Sequence, residues 1–184
     1  MTKAPTARNV FNNARVSNSV TDGVTSERIS SADASYIINS PKLKTRLTAF
    51  YSKVEDQTEA SFFFADGAGD DPTTETIETG GAFVSETVTG LNKRNLGLEF
   101  GIEYPILSTL KVMASAAYGE YIYDNNPNIV LNVDKFAKPI PYGTAKLKNY
   151  KQPGTPQAAA SFGLEYRDPK FWSIAANINY LANN

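Results

Sequence analysis

Three glutamates, Glu99, Glu103 and Glu165, offer the clearest opening for proton chemistry in this sequence. Two of them facing each other across strands at about 5–9 Å could serve as acid and base in a glycosidase-like hydrolysis. Their neighbours argue for a plainer role as hydrated residues of a polar strand face, one of them balanced by Lys111. The run DGAGDD, Asp66–Asp71, gathers three carboxylates that could meet calcium. Its spacing does not follow an EF-hand loop and suits a solvated loop instead. Residues 138–154, KPIPYGTAKLKNYKQPG, mix Lys with Tyr as single-strand nucleic-acid binders do. The chain as a whole carries 18 basic and 19 acidic residues, so there is no basic field to hold a polyanion. These residues are read as a surface loop, and no nucleic-acid partner is expected.

What is missing narrows the chemistry further. Histidine and cysteine are both absent. A Ser-His-Asp triad, a Cys-His pair, an HExxH zinc site, thiolate metal sites and disulfides are all excluded. The reading is therefore of a protein that is not an enzyme, with no catalytic, cofactor-binding or metal-binding residues. Arg8, Arg15 and Arg28 in the polar first segment are left as candidates for facing a ligand.

The elements that position these residues follow from period-2 patterning. Ala32, Ala34, Tyr36 and Ile38 alternate with Ser31, Asp33, Ser35 and Asn39. Beyond Ser40-Pro41, Leu43, Thr45, Leu47, Ala49 and Tyr51 alternate with Lys44, Arg46, Thr48 and Ser52, with Phe50 out of step. Leu96, Leu98, Phe100, Ile102 and Tyr104 oppose Asn95, Gly97, Glu99, Gly101 and Glu103. After a turn near Leu107-Ser108, Leu110, Val112, Ala114, Ala116 and Tyr118 make the next apolar row. Phe162, Leu164 and Tyr166, then Trp172, Ile174, Ala176, Ile178 and Tyr180, flank a turn at Asp168-Pro169-Lys170.

The expectation is all-β: an antiparallel meander of about six long strands in three hairpins. Residues 1–30 read as loop, 31–54 as the first hairpin and 55–92 as a long loop of extracellular type. Residues 93–124 form the second hairpin, 125–155 a second long loop and 156–184 the third hairpin. Matching the apolar faces pairs Tyr166 with Trp172, Leu164 with Ile174 and Phe162 with Ala176. It also sets Glu103 opposite Lys111.

Alternation alone does not say which face is wet. In a soluble sandwich or small-barrel binding module, the alternative reading, the apolar face is the core. In an outer-membrane barrel it meets lipid, and the polar face lines the lumen. Three features favour lipid. Tight turns lie at one end of the hairpins and long excursions at the other. Tyr36, Tyr104, Tyr166 and Trp172 lie beside the tight turns, and Tyr51, Tyr118 and Tyr180 near the far strand ends, as two aromatic girdles would. Eight steps separate Trp172 from Tyr180, or roughly 26 Å of strand and, with tilt, about 20 Å of membrane height. Finally, the opposite face is rich in Gly, Ser and Asn, which suit a wet lumen.

The phrases SYIINSPKLKTRLTAFYSKVEDQT, NLGLEFGIEYPIL, LKVMASAAYGEYIYDNNPNI and GTPQAAASFGLEYRDPKFWSIAANINYL together resemble the later barrel portion of TonB-dependent outer-membrane receptors. GLEYRDPKFW and NINYLANN resemble one recurring hairpin of that family, and the likeness runs from about Asn9 onward. It implies a barrel of about 22 strands around a plug. It implies uptake of a scarce ligand, such as an iron–siderophore complex, vitamin B12 or a glycan fragment, driven through TonB. The expected partners are outer-membrane lipid, the remaining barrel strands and plug of a parent protein, and TonB through that plug. The expected location is the cell outer membrane as part of that parent. No plug, TonB box or signal peptide is read in the chain. Six strands are fewer than the 8 or so of the smallest membrane barrels. The stop at Asn184 is accordingly read as truncation, and the chain as a fragment forming an incomplete barrel, a curved open sheet.

Overall fold

Alternation over ten or more residues demands extended backbone, and most of the described residues take it. The computed structural model describes residues 1–11, 20–66, 81–133 and 138–182. Its elements are β1 (Thr2–Lys3), α1 (Ala7–Val10), β2 (Glu27–Asn39), β3 (Lys44–Ala65), β4 (Ala82–Leu107), β5 (Leu110–Tyr123), β6 (Asn128–Val133), β7 (Ile140–Thr144), β8 (Ala158–Arg167) and β9 (Ser173–Ala182). The protein is all-β, an open antiparallel sheet of nine strands not closed into a barrel. Neighbours run β1-β2-β3-β4-β5-β8-β9, with β6 pairing β4 and β7 pairing β6. The chain divides into two compact units.

The first unit comprises Met1–Ser30, Lys53–Lys93 and Tyr123–Tyr150. Its strands lie where loops were expected. β3 continues to Ala65 and β4 begins at Ala82, while β6 and β7 lie within residues 125–155. Among the described residues there are thus nine strands, several of them short, where about six long ones were expected. The polar side chains of these segments hid the pattern, because here Thr and Ser take the sheltered positions. Thr58, Ser85, Thr87 and Thr89 are buried. A small apolar cluster of Ala82, Val84 and Val133, with Ala65 and Leu131 against it, forms the core. Val84 stands opposite Val133, and Ser85 opposite Asn132, in the β4–β6 ladder.

Asp56 interrupts β3 with a φ of 59°, a left-handed conformation that Asp tolerates better than most residues. Its N–H donates to Asn92 Oδ1 at 3.0 Å, Asn92 N–H donates to Asn125 Oδ1 at 2.9 Å, and Asn125 Nδ2 donates to the Gly90 carbonyl at 2.7 Å. That relay satisfies backbone groups where the ladders are broken.

The second unit comprises Ser31–Ser52, Arg94–Ile122 and Lys151–Asn184. Its three tight turns fall where the sequence places them. At the first, Ser40 N–H donates to the Leu43 carbonyl at 2.9 Å, and Ser40 Oγ accepts from Leu43 N–H at 3.1 Å. Pro41 between them supplies the preset φ of a β-turn. At the second, only Ser108 and Thr109 separate β4 from β5.

At the third, Phe171 N–H donates to the Asp168 carbonyl at 3.1 Å, and Asp168 N–H donates to the Trp172 carbonyl at 2.9 Å. Phe171 takes a φ of 69°. This is a three-residue hairpin loop, a β-turn followed by one left-handed residue. The extra residues move the register by two from the expected pairing. Tyr166 faces Ile174, Leu164 faces Ala176, and Phe162 faces Ile178. A shift of two leaves every side chain on its expected face; a shift of one would not.

Candidate functional site

The two faces of the second unit are the features that could carry function. Along the apolar face the large side chains are bare: Leu98 is 54% exposed, Trp172 52%, Ile174 64% and Ile178 73%. Tyr36, Leu47, Tyr51, Phe100, Tyr104, Tyr118, Phe162, Leu164 and Tyr180 are exposed too. A water-soluble sheet buries such a row under a second layer; here the described residues leave it open. Tyr166 and Trp172 pack ring against ring at 5.3 Å beside the third turn, and the Tyr166 hydroxyl donates to Asp168 Oδ2 at 3.0 Å. An aromatic body with one polar anchor suits a boundary between apolar and aqueous media.

The opposite face is polar and ion-paired. Lys111 Nζ lies 2.9 Å from Glu165 and 3.8 Å from Glu103. Lys44 reaches Glu103 at 3.4 Å, and Arg167 pairs with Glu165. Sign alternates from strand to strand through Lys44, Glu103, Lys111 and Glu165, and Arg167 adds a second cation along β8. Lys111 stands directly opposite Glu165 in the β5–β8 ladder. The contact with Glu103 expected from the sequence is made, but it is the longer of the two. The partner on β8 escapes a hairpin-by-hairpin reading, because that ladder joins strands far apart in the chain.

Further from the turns, a trough of about 700 Å³ opens on the same unit. Arg46, Thr48, Glu99 and Asn179 are among its walls, and Gly101, Ser115, Ala117, Ala159 and Ser161 give it a floor of small side chains. The Arg46 guanidinium is held by its neighbours: Nε donates to Thr48 Oγ1 at 3.1 Å and Nη2 to Ser35 Oγ at 3.2 Å. This Ser35–Arg46–Thr48 triangle was not singled out from the sequence, although all three residues alternate on the polar face. Two glutamines were also missed. Gln157 Oε1 accepts from Tyr121 N–H at 3.0 Å, and Gln152 Nε2 donates to Asn95 Oδ1 at 2.7 Å and to the Ile122 carbonyl at 3.0 Å. Both lie in a Pro/Gly-rich stretch that reads as loop, yet they tie the approach to β8 onto neighbouring strands.

The three glutamates therefore divide. Glu103 and Glu165 share Lys111, and Glu99 stands in the trough wall with no ion pair among the described residues. Among the described residues, the arrangement gives Glu103 and Glu165 cationic partners and leaves Glu99 in the trough wall.

The remaining candidates lie in the first unit. Asp66 follows the end of β3, and the rest of DGAGDD lies outside the described residues. Arg8 stacks over the Phe62 ring at 5.2 Å, Arg28 pairs with Asp56 at 2.8 Å, and Arg15 lies outside the described residues. The Lys/Tyr run contributes β7, with Tyr142 and Tyr150 exposed. Lys53 donates to Glu55 at 2.9 Å, and this hydrogen bond chiefly holds the Glu55 carboxyl below the usual range. Among the described residues, no group of three or more Cys, His, Asp or Glu is placed to hold a metal ion. No helix there is long and apolar enough to cross a membrane, which leaves a β-barrel crossing unaddressed.

No protein-family model matches the chain, and no curated protein and no solved structure matches it.

Proposed function

We propose that the chain forms part of the wall and the extracellular loops of a TonB-dependent outer-membrane receptor. Such a receptor takes up a scarce ligand, a siderophore complex, a vitamin or a glycan. The observation that carries this reading is the bare Leu/Ile/Phe face of the second unit, edged by Tyr and Trp at both strand ends. Covering the exposed parts of Leu98, Phe100, Ile174 and Ile178 with hydrocarbon would recover roughly half or more of the ~1.5–3 kcal/mol that full burial of such a side chain gives, and no described residue covers them. The alternating ion pairs of the opposite face support a wet lumen. In this reading the wall and loops act with the remaining strands and the plug of a parent receptor, and TonB acts through that plug.

The test uses the absence of native cysteine. Single variants Leu98→Cys, Phe100→Cys, Ile174→Cys and Ile178→Cys are compared with Glu99→Cys, Gly101→Cys, Ala175→Cys and Asn177→Cys in the outer-membrane fraction of cells producing the chain in its barrel. A lipid-soluble thiol probe is expected to tag the first set and spare the second. Equal tagging of both sets, or recovery of the chain from the soluble fraction as a folded monomer, would sink the reading.

A further inference from the structure

The lysines of this chain fall into two groups. Lys3, Lys44, Lys53, Lys93 and Lys111 each pair with a glutamate. Lys138, Lys146 and Lys148 of the first unit are exposed and have no ion pair among the described residues. From Asn125 to Tyr150 the described residues carry these three cations and no carboxylate. Like charges gathered without a partner repel one another, and an anionic surface relieves that repulsion.

The stretch is held in shape by its neighbours. β7 pairs with β6 between Ile140 and Thr144. Beyond it, Ala145 N–H donates to the Pro127 carbonyl at 2.9 Å, and Lys148 N–H donates to Asn126 Oδ1 at 2.9 Å. Asn149, with a φ of 68°, donates its N–H to the Tyr123 carbonyl at 2.8 Å, and Tyr123 N–H donates to the Tyr150 carbonyl at 2.9 Å. The lysine stems thus project from fixed backbone, and little ordering is left for binding to do. Tyr142 and Tyr150 stand exposed in the same stretch. A phenol ring has an apolar body and a polar tip, which suits the headgroup level of a membrane.

We propose that this strip, Lys138, Lys146 and Lys148 with Tyr142 and Tyr150, is a docking surface for the phosphates of anionic lipid headgroups. Choosing lipid over a dissolved polyanion rests on the membrane reading above. In that reading Tyr118 marks the far girdle. Tyr123, to which Asn149 and Tyr150 are tied, follows Tyr118 on β5 by five residues, at most about 17 Å of strand. The strip is therefore tethered within short reach of the level where headgroup phosphates lie.

The test offers the refolded full chain to vesicles of phosphatidylcholine alone and to vesicles in which part of it is replaced by phosphatidylglycerol. Co-flotation reads the bound fraction. Binding through the apolar face is common to both compositions, so the ratio of the two affinities reports on charge. That ratio is expected to favour the anionic vesicles and to fall as salt is raised. Lys138→Gln, Lys146→Gln and Lys148→Gln together should lower it by about a hundredfold, about fivefold per lysine. Binding to phosphatidylcholine should stay unchanged. The three side chains make no hydrogen bond or ion pair among the described residues, and circular dichroism checks that the variant keeps its fold. Lys42→Gln with Lys170→Gln removes two other exposed lysines that lack an ion pair, and should leave the ratio nearly intact. A ratio near one for the native chain, or an equal loss per lysine in the second variant, would overturn the proposal. So would inorganic polyphosphate binding the same three lysines as tightly as the anionic vesicles do, since the partner would then be a dissolved polyanion. The thiol labelling of Leu98→Cys and its companions reads the apolar face, and its outcome is independent of this ratio.

Discussion

The two units obey opposite rules of burial. In the first, small aliphatic side chains such as Val84 and Val133 are sheltered, and threonines share that interior. In the second, Leu98, Ile174 and Ile178 stand open while Thr48 and Gln157 are buried. Both are built from antiparallel strands with similar alternation. Periodicity fixes which residues share a face, and the medium each face meets is a separate variable. The first unit shelters its apolar cluster with its own chain. The second offers a surface whose stability depends on what surrounds it.

Charge substitution separates the units most strongly. Val84→Asp places an unpaired carboxylate in the small core of the first unit and is expected to cost about 3–5 kcal/mol in any solvent. If that face meets hydrocarbon as proposed, Leu98→Arg is expected to cost about 2–4 kcal/mol in a bilayer. If that face met water, the same change would stay within about 0.5 kcal/mol. Urea titrations in lipid vesicles measure both, and a silent Leu98→Arg would erase the contrast.

Close strand contact gives the next effect. A Cβ on Gly97 would lie 2.6 Å from the Tyr118 carbonyl oxygen and 2.8 Å from Gly119 Cα, both backbone atoms that cannot turn aside. Gly97→Val is expected to cost about 1–3 kcal/mol. At Gly101 an added Cβ meets nothing within 4 Å, so Gly101→Ala should be nearly silent. Equal costs at the two positions would contradict this difference in strand packing.

The ion-paired face should respond more weakly. Lys111→Met removes the cation between Glu103 and Glu165 and leaves them only Lys44 and Arg167, and about 1 kcal/mol of destabilisation is expected, falling as salt is raised. A double-mutant cycle with Glu165→Gln measures the coupling, which should exceed that with Glu103→Gln because the Glu165 contact is the shorter.

Smallest is the pH response of Glu55 in the first unit. Its folded carboxyl is held low by the Lys53 hydrogen bond, so its contribution is present above the unfolded carboxylate range. That contribution fades as pH falls through the lowered folded value. Glu55→Gln should remove this portion of the acid dependence and lower stability at neutral pH only slightly, because the pair is partly solvated.

Much of the second unit was legible in the sequence because its strands alternate cleanly and its turns carry Pro41, Ser108 and Pro169. The register of the last hairpin was not, since nothing in DPKFW announces that Phe171 will adopt a positive φ. The first unit was hidden for a different reason. Its interior uses Thr and Ser, while Phe62, Phe63, Phe64 and Phe83 stay exposed, so hydrophobicity and burial are out of step. The polar face was legible as a face, and Glu103 and Lys111 were placed together. The Lys111–Glu165 contact depends on β5 meeting β8 across a long excursion, which local pattern does not encode. The trough likewise arises from strands that meet only in the folded sheet.

Trp172 is the sole tryptophan and stands half exposed at the turn end of the apolar face, so its native fluorescence reports the medium without any substitution. In vesicles holding the folded chain, lipids brominated near the headgroup should quench it more than lipids brominated at mid-chain, and aqueous iodide should quench it poorly. Efficient iodide quenching with no effect of any brominated lipid would show that water, not hydrocarbon, meets this face.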